Sequence, residues 1–222
     1  MGKTIMSGTV GHKIDSTFNN NDWDTIALAC QKNIVPSTWS IGDQKIMTIN
    51  NKEYLIDIIG KNKDSYFDGS GTAPLTFGLH SVFGVKYPMS VSDDNTYVTS
   101  TMHTITLQLV LNLFPDNIRN NIKLINKTDS TNGDYLFIFN NTDLSGGYEY
   151  FNSDAARAKT YPIEVISVAS GTPSIGSGYW TATPTGSSSR DQRYCYVQSS
   201  GKISTLGNFP TSLINISFGF CF

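Results

Sequence analysis

At 222 residues, with 39% apolar and only 15% charged side chains, the chain can bury one substantial core without disulfides or metals and suits a loop-rich β or α+β domain with an uncharged polar surface. A net charge of −2 and sixteen scattered Lys and Arg exclude the basic stripe with which proteins neutralise nucleic-acid phosphates. No apolar run approaches the roughly 20 residues needed to cross a bilayer, and the opening residues lack a secretory apolar stretch, so neither nucleic acid nor membrane insertion is expected and synthesis in the cytoplasm is.

Residues 1–17 show no periodicity and few large apolar groups, the pattern of an extended arm that orders only against a neighbour or against the domain body at 18–222. In NNNDWDTIALACQKNIVP, Asn21 or Asp22 can cap a helix whose Trp23, Ile26, Ala27 and Cys30 recur at i, i+3, i+4 and i+7. Asn33 and Pro36 end it. QKIMTINNKEYLIDIIG reads as a hairpin turning at Asn50 and Asn51, because Asn tolerates the left-handed backbone of tight turns. KNKDSYFDGSG is a loop and PLTFGLH a strand. TMHTITLQLVLNLF sets Met102, Leu107, Val110, Leu111 and Phe114 near one helical face, although its β-branched residues leave a strand reading open. Pro115 and Asp116 suit the first turn of a further helix through Ile118 and Ile122. Beyond residue 130 short β segments follow, namely DYLFIF, YPIEVISV, GYWTAT, RYCYVQS, KISTL and INISFGFCF, with reversals at 199–201 and at Asn208, Pro210 and Thr211.

Few residues suggest chemistry. There is no G-x-S-x-G elbow and no H-E-x-x-H, and His12, His80 and His103 are the only imidazoles. Packing accounts for His80 and His103. DSYFDGSG sets Asp64, Asp68 and Gly69 at positions 1, 5 and 6 of a calcium loop, but Tyr66 and Leu75 stand where oxygen ligands belong, so a solvated turn is expected. No metal or cofactor is implied. Cys30, Cys195 and Cys221 have no C-x-x-C spacing, and a bridge between Cys195 and Cys221 requires cross-strand neighbours, with buried free thiols as the alternative. Trp180 is assigned to the core, which leaves Tyr179, alternating with it, on the surface beside the polar run TGSSSRDQ.

These residues together resemble a family of domains of uncharacterised function from Gram-positive gut bacteria and their phages. Its members run through a Trp-led helix, a Gly-Asp hairpin, a D-G-S-G loop, a W-W-x-R-S-P strand and a final F-G-F-C. The counterparts are DWDTIALA, WSIGDQKIMTINNKEYLIDIIG, DGSGTAPLTF, YWTATP, and YCYVQSSGKI with SFGFCF. The resemblance covers 22–90 and 178–222 and is loose over 91–177, and Ala182 replaces the family's Arg. It implies an α+β, C-type lectin-like fold of mostly antiparallel and mixed sheets with two or three short helices, in which SFGFCF pairs near the N-terminal hairpin. Strands of such a scaffold hold loops out for recognition.

The function so implied is that of a phage virion protein, on the tail or head, displaying a lectin-like domain that binds a bacterial surface ligand, most simply a glycan. Its contact surface would be Tyr179, Thr185, Ser187, Ser188, Ser189, Arg190, Asp191, Gln192, Tyr194 and Tyr196. The arm would attach many copies, or a homo-oligomer, to other virion proteins. A decoration or connector subunit without a host ligand is the alternative. An oxidase using copper with Cys195 and Cys221, as in formylglycine-generating enzymes, has no supporting constellation.

Overall fold

A computed structural model describes residues 13–92, 96–127, 131–148, 178–185, 193–198 and 200–222. At its start Asp15 organises the chain: its N–H donates to Asn21 Oδ1 (2.8 Å), its carboxylate accepts from Thr17 N–H (2.7 Å), and its carbonyl accepts from Trp39 Nε1–H (3.1 Å). Ile14 packs against the core. Residues 13–17, the end of the expected arm, are thus ordered against the body of the domain; residues 1–12 lie outside the described residues. Helix α1 (Trp23–Gln31) begins at Asp22, whose carboxylate accepts from Thr25 N–H at 2.6 Å. Trp23, Ile26, Ala27 and Cys30 are all buried, as their spacing predicts.

The hairpin forms where expected. Strands β1 (Gln44–Ile49) and β2 (Lys52–Lys61) pair antiparallel about Asn50 and Asn51, which take φ of 49° and 60°. β3 (Leu75–Leu79) follows the predicted PLTFGLH, but β4 (Phe83–Tyr87) had no sequence signal. It is an edge strand that buries only Phe83 in full, so it shows no alternation to read. The remaining strands are β5 (Tyr179–Pro184), β6 (Tyr194–Val197), β7 (Ile203–Asn208), β8 (Ile214–Ile216) and β9 (Gly219–Cys221). They make a four-stranded sheet ordered β1-β2-β3-β9 and a five-stranded sheet ordered β4-β8-β5-β6-β7. All pairings are antiparallel except β5 with β8. With α1, a π-helical turn (Met102–Thr106) running into α2 (Leu107–Leu111), and α3 (Asp116–Arg119), the architecture is α+β with mixed sheets and few short helices.

INISFGFCF, read as one strand, divides after Ile216. β8 lies in the five-stranded sheet and β9 in the four-stranded one, so Ser217 and Phe218 cross between them. Phe218, Phe220 and Phe222 are fully buried. DYLFIF is a second correction: it forms no strand and meets the sheets one residue at a time. Phe137 exchanges both backbone bonds with Gly219 (3.1 and 2.8 Å), and Phe139 O accepts from Ala182 N–H (2.9 Å). The segment thus threads between the two sheets, and that role requires every side chain from Leu136 to Phe139 to be buried. YPIEVISV lies outside the described residues.

Gly219 is obligatory in this crossing. A Cβ there would stand 2.5 Å from Phe137 Cζ and 2.9 Å from the Phe77 carbonyl oxygen. Gly219→Ala should therefore lower stability by about 1–3 kcal/mol, the usual penalty of overpacking, visible as a lower urea midpoint at unchanged slope. A parental midpoint would show that the crossing is looser than described.

The calcium-like loop separates into two parts. Asp68 is exposed and accepts from Ser70 N–H (2.9 Å), with Gly69 at φ 72°, which is the solvated turn the sequence suggests. Asp64 instead turns inward, accepting from Thr76 Oγ1–H at 2.5 Å and Tyr148 Oη–H at 2.7 Å. The three cysteines are free and buried. Cys195 lies in β6 and Cys221 in β9, in different sheets, so they are not cross-strand neighbours. Among the described residues no group of three His, Cys, Asp or Glu could hold a metal ion, and no helix is long and apolar enough to cross a membrane.

Candidate functional site

The expected contact surface is partly interior. Tyr179 and Tyr194 are completely buried, contrary to the outward placement that strand alternation gives Tyr179 and the lectin-like resemblance gives Tyr194. The reason is topological: β5 is the central strand of its sheet and is covered on both faces. Trp180 packs into the larger cluster, edge to face with Tyr194 (6.4 Å), and donates from Nε1–H to the Tyr87 carbonyl (2.9 Å). Tyr179 enters the smaller cluster around Phe139 and Tyr148. Tyr196 is half-buried against the larger cluster. Thr185 directly follows β5, its N–H donating to Arg193 O at 2.8 Å. Ser187, Ser188, Ser189, Arg190, Asp191 and Gln192 lie outside the described residues.

A groove on another face has the stronger physical credentials. It is built by three segments: the loop after β2, the chain after α3, and the residues before Leu136. Tyr66 and Ile125 form one bridge and Ile125 and Asp134 a second. Phe67 N–H donates to Leu124 O (3.0 Å), and Asn126 N–H to Ser65 O (2.9 Å). Gly133, at φ 68°, lies against Phe67 and Leu124 so closely that a Cβ would stand 2.8 Å from the Phe67 ring and 2.7 Å from Leu124 Cγ. The frame therefore fixes where Phe67 presents its ring.

Two hollows share Leu124 and Tyr135 as their common wall. One, of about 350 Å³, is lined by His103, Thr104, Gln108 and Thr131 among others. The other, of about 760 Å³, is lined by Gln31, Tyr66, Phe67, Asp68, Ser70 and Lys123 among others. Both volumes fall in the range of small-molecule sites. Phe67 is 38% and Tyr135 43% exposed, so two rings stand open beside amides and hydroxyls. An aromatic face next to neutral donors and acceptors suits a ligand that is apolar on one side and hydroxylated at its edges.

His103 and Asp134 make the polar end of the smaller hollow. His103 Nε2 lies 2.6 Å from Asp134 Oδ1 and Nδ1 lies 3.0 Å from the Val98 carbonyl. Both partners are acceptors, so the ring donates twice only as an imidazolium. The hydrogen bond to Asp134 raises its pKa above the ordinary histidine value of 6.5, against the opposing effect of burial. Cys30 and Cys221 offer no activated thiolate here, since burial pushes Cys30 up to about 12 and Cys221 well above the usual range.

Sequence reasoning missed this groove. Its one local signal was the Tyr66–Phe67 pair inside an otherwise polar Gly-Asp loop, together with Tyr135 opening a segment whose next four residues are interior. Comparison with known protein families, characterised proteins and solved structures finds no match to this chain, so its site rests on geometry alone.

Proposed function

We propose that the chain is a glycan-recognition domain of C-type lectin-like architecture, carried on a phage particle, and that the groove walled by Phe67 and Tyr135 holds the sugar. The carrying observation is the pair of open rings beside the Gln31 amide and the Ser70 hydroxyl, with Asp68 and Lys123 as the charged groups of the same hollow. The position of β9 against β3, next to the β1–β2 hairpin, supports the lectin-like reading. The virion location draws its support from the order of motifs shared with phage domains. A single shallow site of this kind binds at about the millimolar level, near 4 kcal/mol, so adhesion comes from many copies acting together.

A glycan array probed with the multimerised protein tests it. Tyr135→Ala and Phe67→Ala should each weaken binding to any positive glycan about tenfold, equivalent to about 1.4 kcal/mol, while the thermal midpoint barely moves. Binding unchanged in both variants refutes the groove. No binding to any glycan by a multimer, where whole particles do bind cells, refutes the glycan reading.

A separate observation favours the alternative of a connector subunit. Val91, Leu206 and Leu213 are 74%, 82% and 64% exposed, Leu206 and Leu213 flanking the β7–β8 turn and Val91 following Ser90, whose N–H donates to Pro210 O in that turn at 3.0 Å. Large exposed apolar residues grouped in this way mark contact surfaces. Leu206→Ser with Leu213→Ser should leave glycan binding unchanged; loss of particle incorporation in that variant would assign this face to assembly.

A further inference from the structure

Four polar side chains meet in the interior behind β3. Asp64 comes from the loop after β2, Lys127 from the chain after α3, and Asp143 and Tyr148 from the turn at Asp143–Gly147 and the residue after it. Lys127 Nζ lies 2.7 Å from Asp143 Oδ1, 3.1 Å from Asp64 Oδ1 and 2.8 Å from Tyr148 Oη. The side chains of Lys127, Asp64 and Asp143 are only 11%, 6% and 10% exposed. The ammonium also sits over two rings, 4.4 Å from the centroid of Tyr148 and 5.1 Å from that of Phe137.

The two carboxyl groups differ in environment. Asp64 accepts from Lys127, from Thr76 Oγ1–H and from Tyr148 Oη–H, so its carboxyl oxygens face donors and Oδ1 lies within direct reach of a lysine proton. Asp143 presents Oδ1 to the lysine while Oδ2 accepts from Asn140 N–H at 2.9 Å. Burial raises the Asp143 carboxyl against the pull of Lys127, which favours its neutral, electrophilic form. Burial acts to lower the Lys127 ammonium, but Asp143 and Asp64 hold it above the usual lysine value, so a base is needed to free the amine.

We propose that Lys127 and Asp143 condense into an intramolecular isopeptide bond, with Asp64 as the base. Asp64 takes one proton from the Lys127 ammonium. The free amine attacks Cγ of protonated Asp143, forming the C–N bond; a second proton moves from nitrogen to the departing hydroxyl as the C–O bond breaks, and one water leaves. An ammonium, a carboxylic acid and a carboxylate become an amide, a water and a carboxylic acid, with no change in total charge and no external reactant. Preset contact between the reacting groups supplies the rate advantage, and the surrounding rings keep out the water that would reverse the step. The product replaces a buried charge cluster, which is expensive to desolvate, by a neutral amide. The bond would tie residues sixteen apart in sequence and fix the turn that carries Tyr148. None of this depends on the groove or on its ligand.

Mass spectrometry of the purified full chain decides the matter. The intact protein should be lighter than its sequence by one water. After denaturation, trypsin should fail to cut after Lys127 and release residues 124–157 as one piece lacking that water, since no other Lys or Arg lies between Lys127 and Arg157. Lys127→Arg, which keeps a cation in the site, and Asp143→Ala should both show full sequence mass. Asp64→Asn, which cannot take the proton, should slow formation by at least tenfold or abolish it. A wild-type chain of full sequence mass that is cut after Lys127, even on prolonged incubation, overturns the proposal. Unslowed mass loss in Asp64→Asn removes Asp64 as the base.

Discussion

Replacing Phe77 with alanine is expected to lower the free energy of unfolding by about 3–5 kcal/mol, the range for truncating a buried aromatic. Phe77 lies at the centre of β3 and is fully buried. Its ring meets Phe18 (6.2 Å), Trp23 (5.6 Å), Phe220 (5.2 Å) and Phe222 (5.3 Å). Those four partners come from the 3₁₀ turn at Phe18–Asn20, from α1, from β9 and from the last residue. Each is held by its own element, so they cannot collapse together into the space left behind, and a cavity that cannot collapse carries the larger penalty. Each lost aromatic pair removes a further contribution of about 0.5–1.5 kcal/mol beyond area. At roughly 2–4 °C per kcal/mol for a chain of this size, the midpoint should fall by about 6–20 °C. Leu206→Ala, at a side chain 82% exposed, should change stability by no more than about 0.5 kcal/mol. Equal effects at the two positions would mean that β9 and the last residues do not close over β3 in solution.

What the sequence made legible follows a simple physical division. α1, the Asn50–Asn51 hairpin and β3 were readable because each carries its own periodicity and its own terminal signal, such as the Asp22 cap and the left-handed Asn pair. Trp180 was placed correctly in the core, whereas Tyr179 was not, because alternation tells which residues share a face but not whether a second layer covers the other one. The division of INISFGFCF depends on partners outside the segment, β4 and β5 for β8 and β3 for β9. The groove is harder still. Phe67, His103, Lys123 and Tyr135 lie in separate stretches of chain, none with a chemical motif, and the bridges through Ile125, the backbone bonds beside them and the His103–Asp134 contact bring them together. Asp64 shows the same limit from the other side, since a local loop pattern gives no hint of Lys127 and Tyr148.

Stability should also fall as pH rises through the pKa of His103, and Asp134→Ala should remove most of that dependence. The sign follows from the direction of the shift. The hydrogen bond from His103 to Asp134 raises the folded value above 6.5, so the folded state binds a proton that the unfolded chain releases. The contribution is therefore present in full below about 6.5, declines as pH climbs through the folded value, and is gone above it. Asp134 is 1% exposed at its side chain and His103 11%. Breaking a buried pair by removing one partner costs about 3–5 kcal/mol, and His103's place on the wall of an open hollow puts the expected loss near the lower figure. That loss should be largest in acid, where the stranded imidazolium stays charged, and should shrink in base, where a neutral ring needs only the Val98 carbonyl. Urea melts across the pH range, with the C2 proton of His103 followed by NMR, check both statements. Because the ring lines the smaller hollow, the same deprotonation removes a positive charge from its wall. Glycan affinity should then change over the same interval in the parent and stay constant in His103→Gln. A His103 that titrates at or below 6.5, or melts with no slope across that interval, would show that the His103–Asp134 contact does not persist in solution.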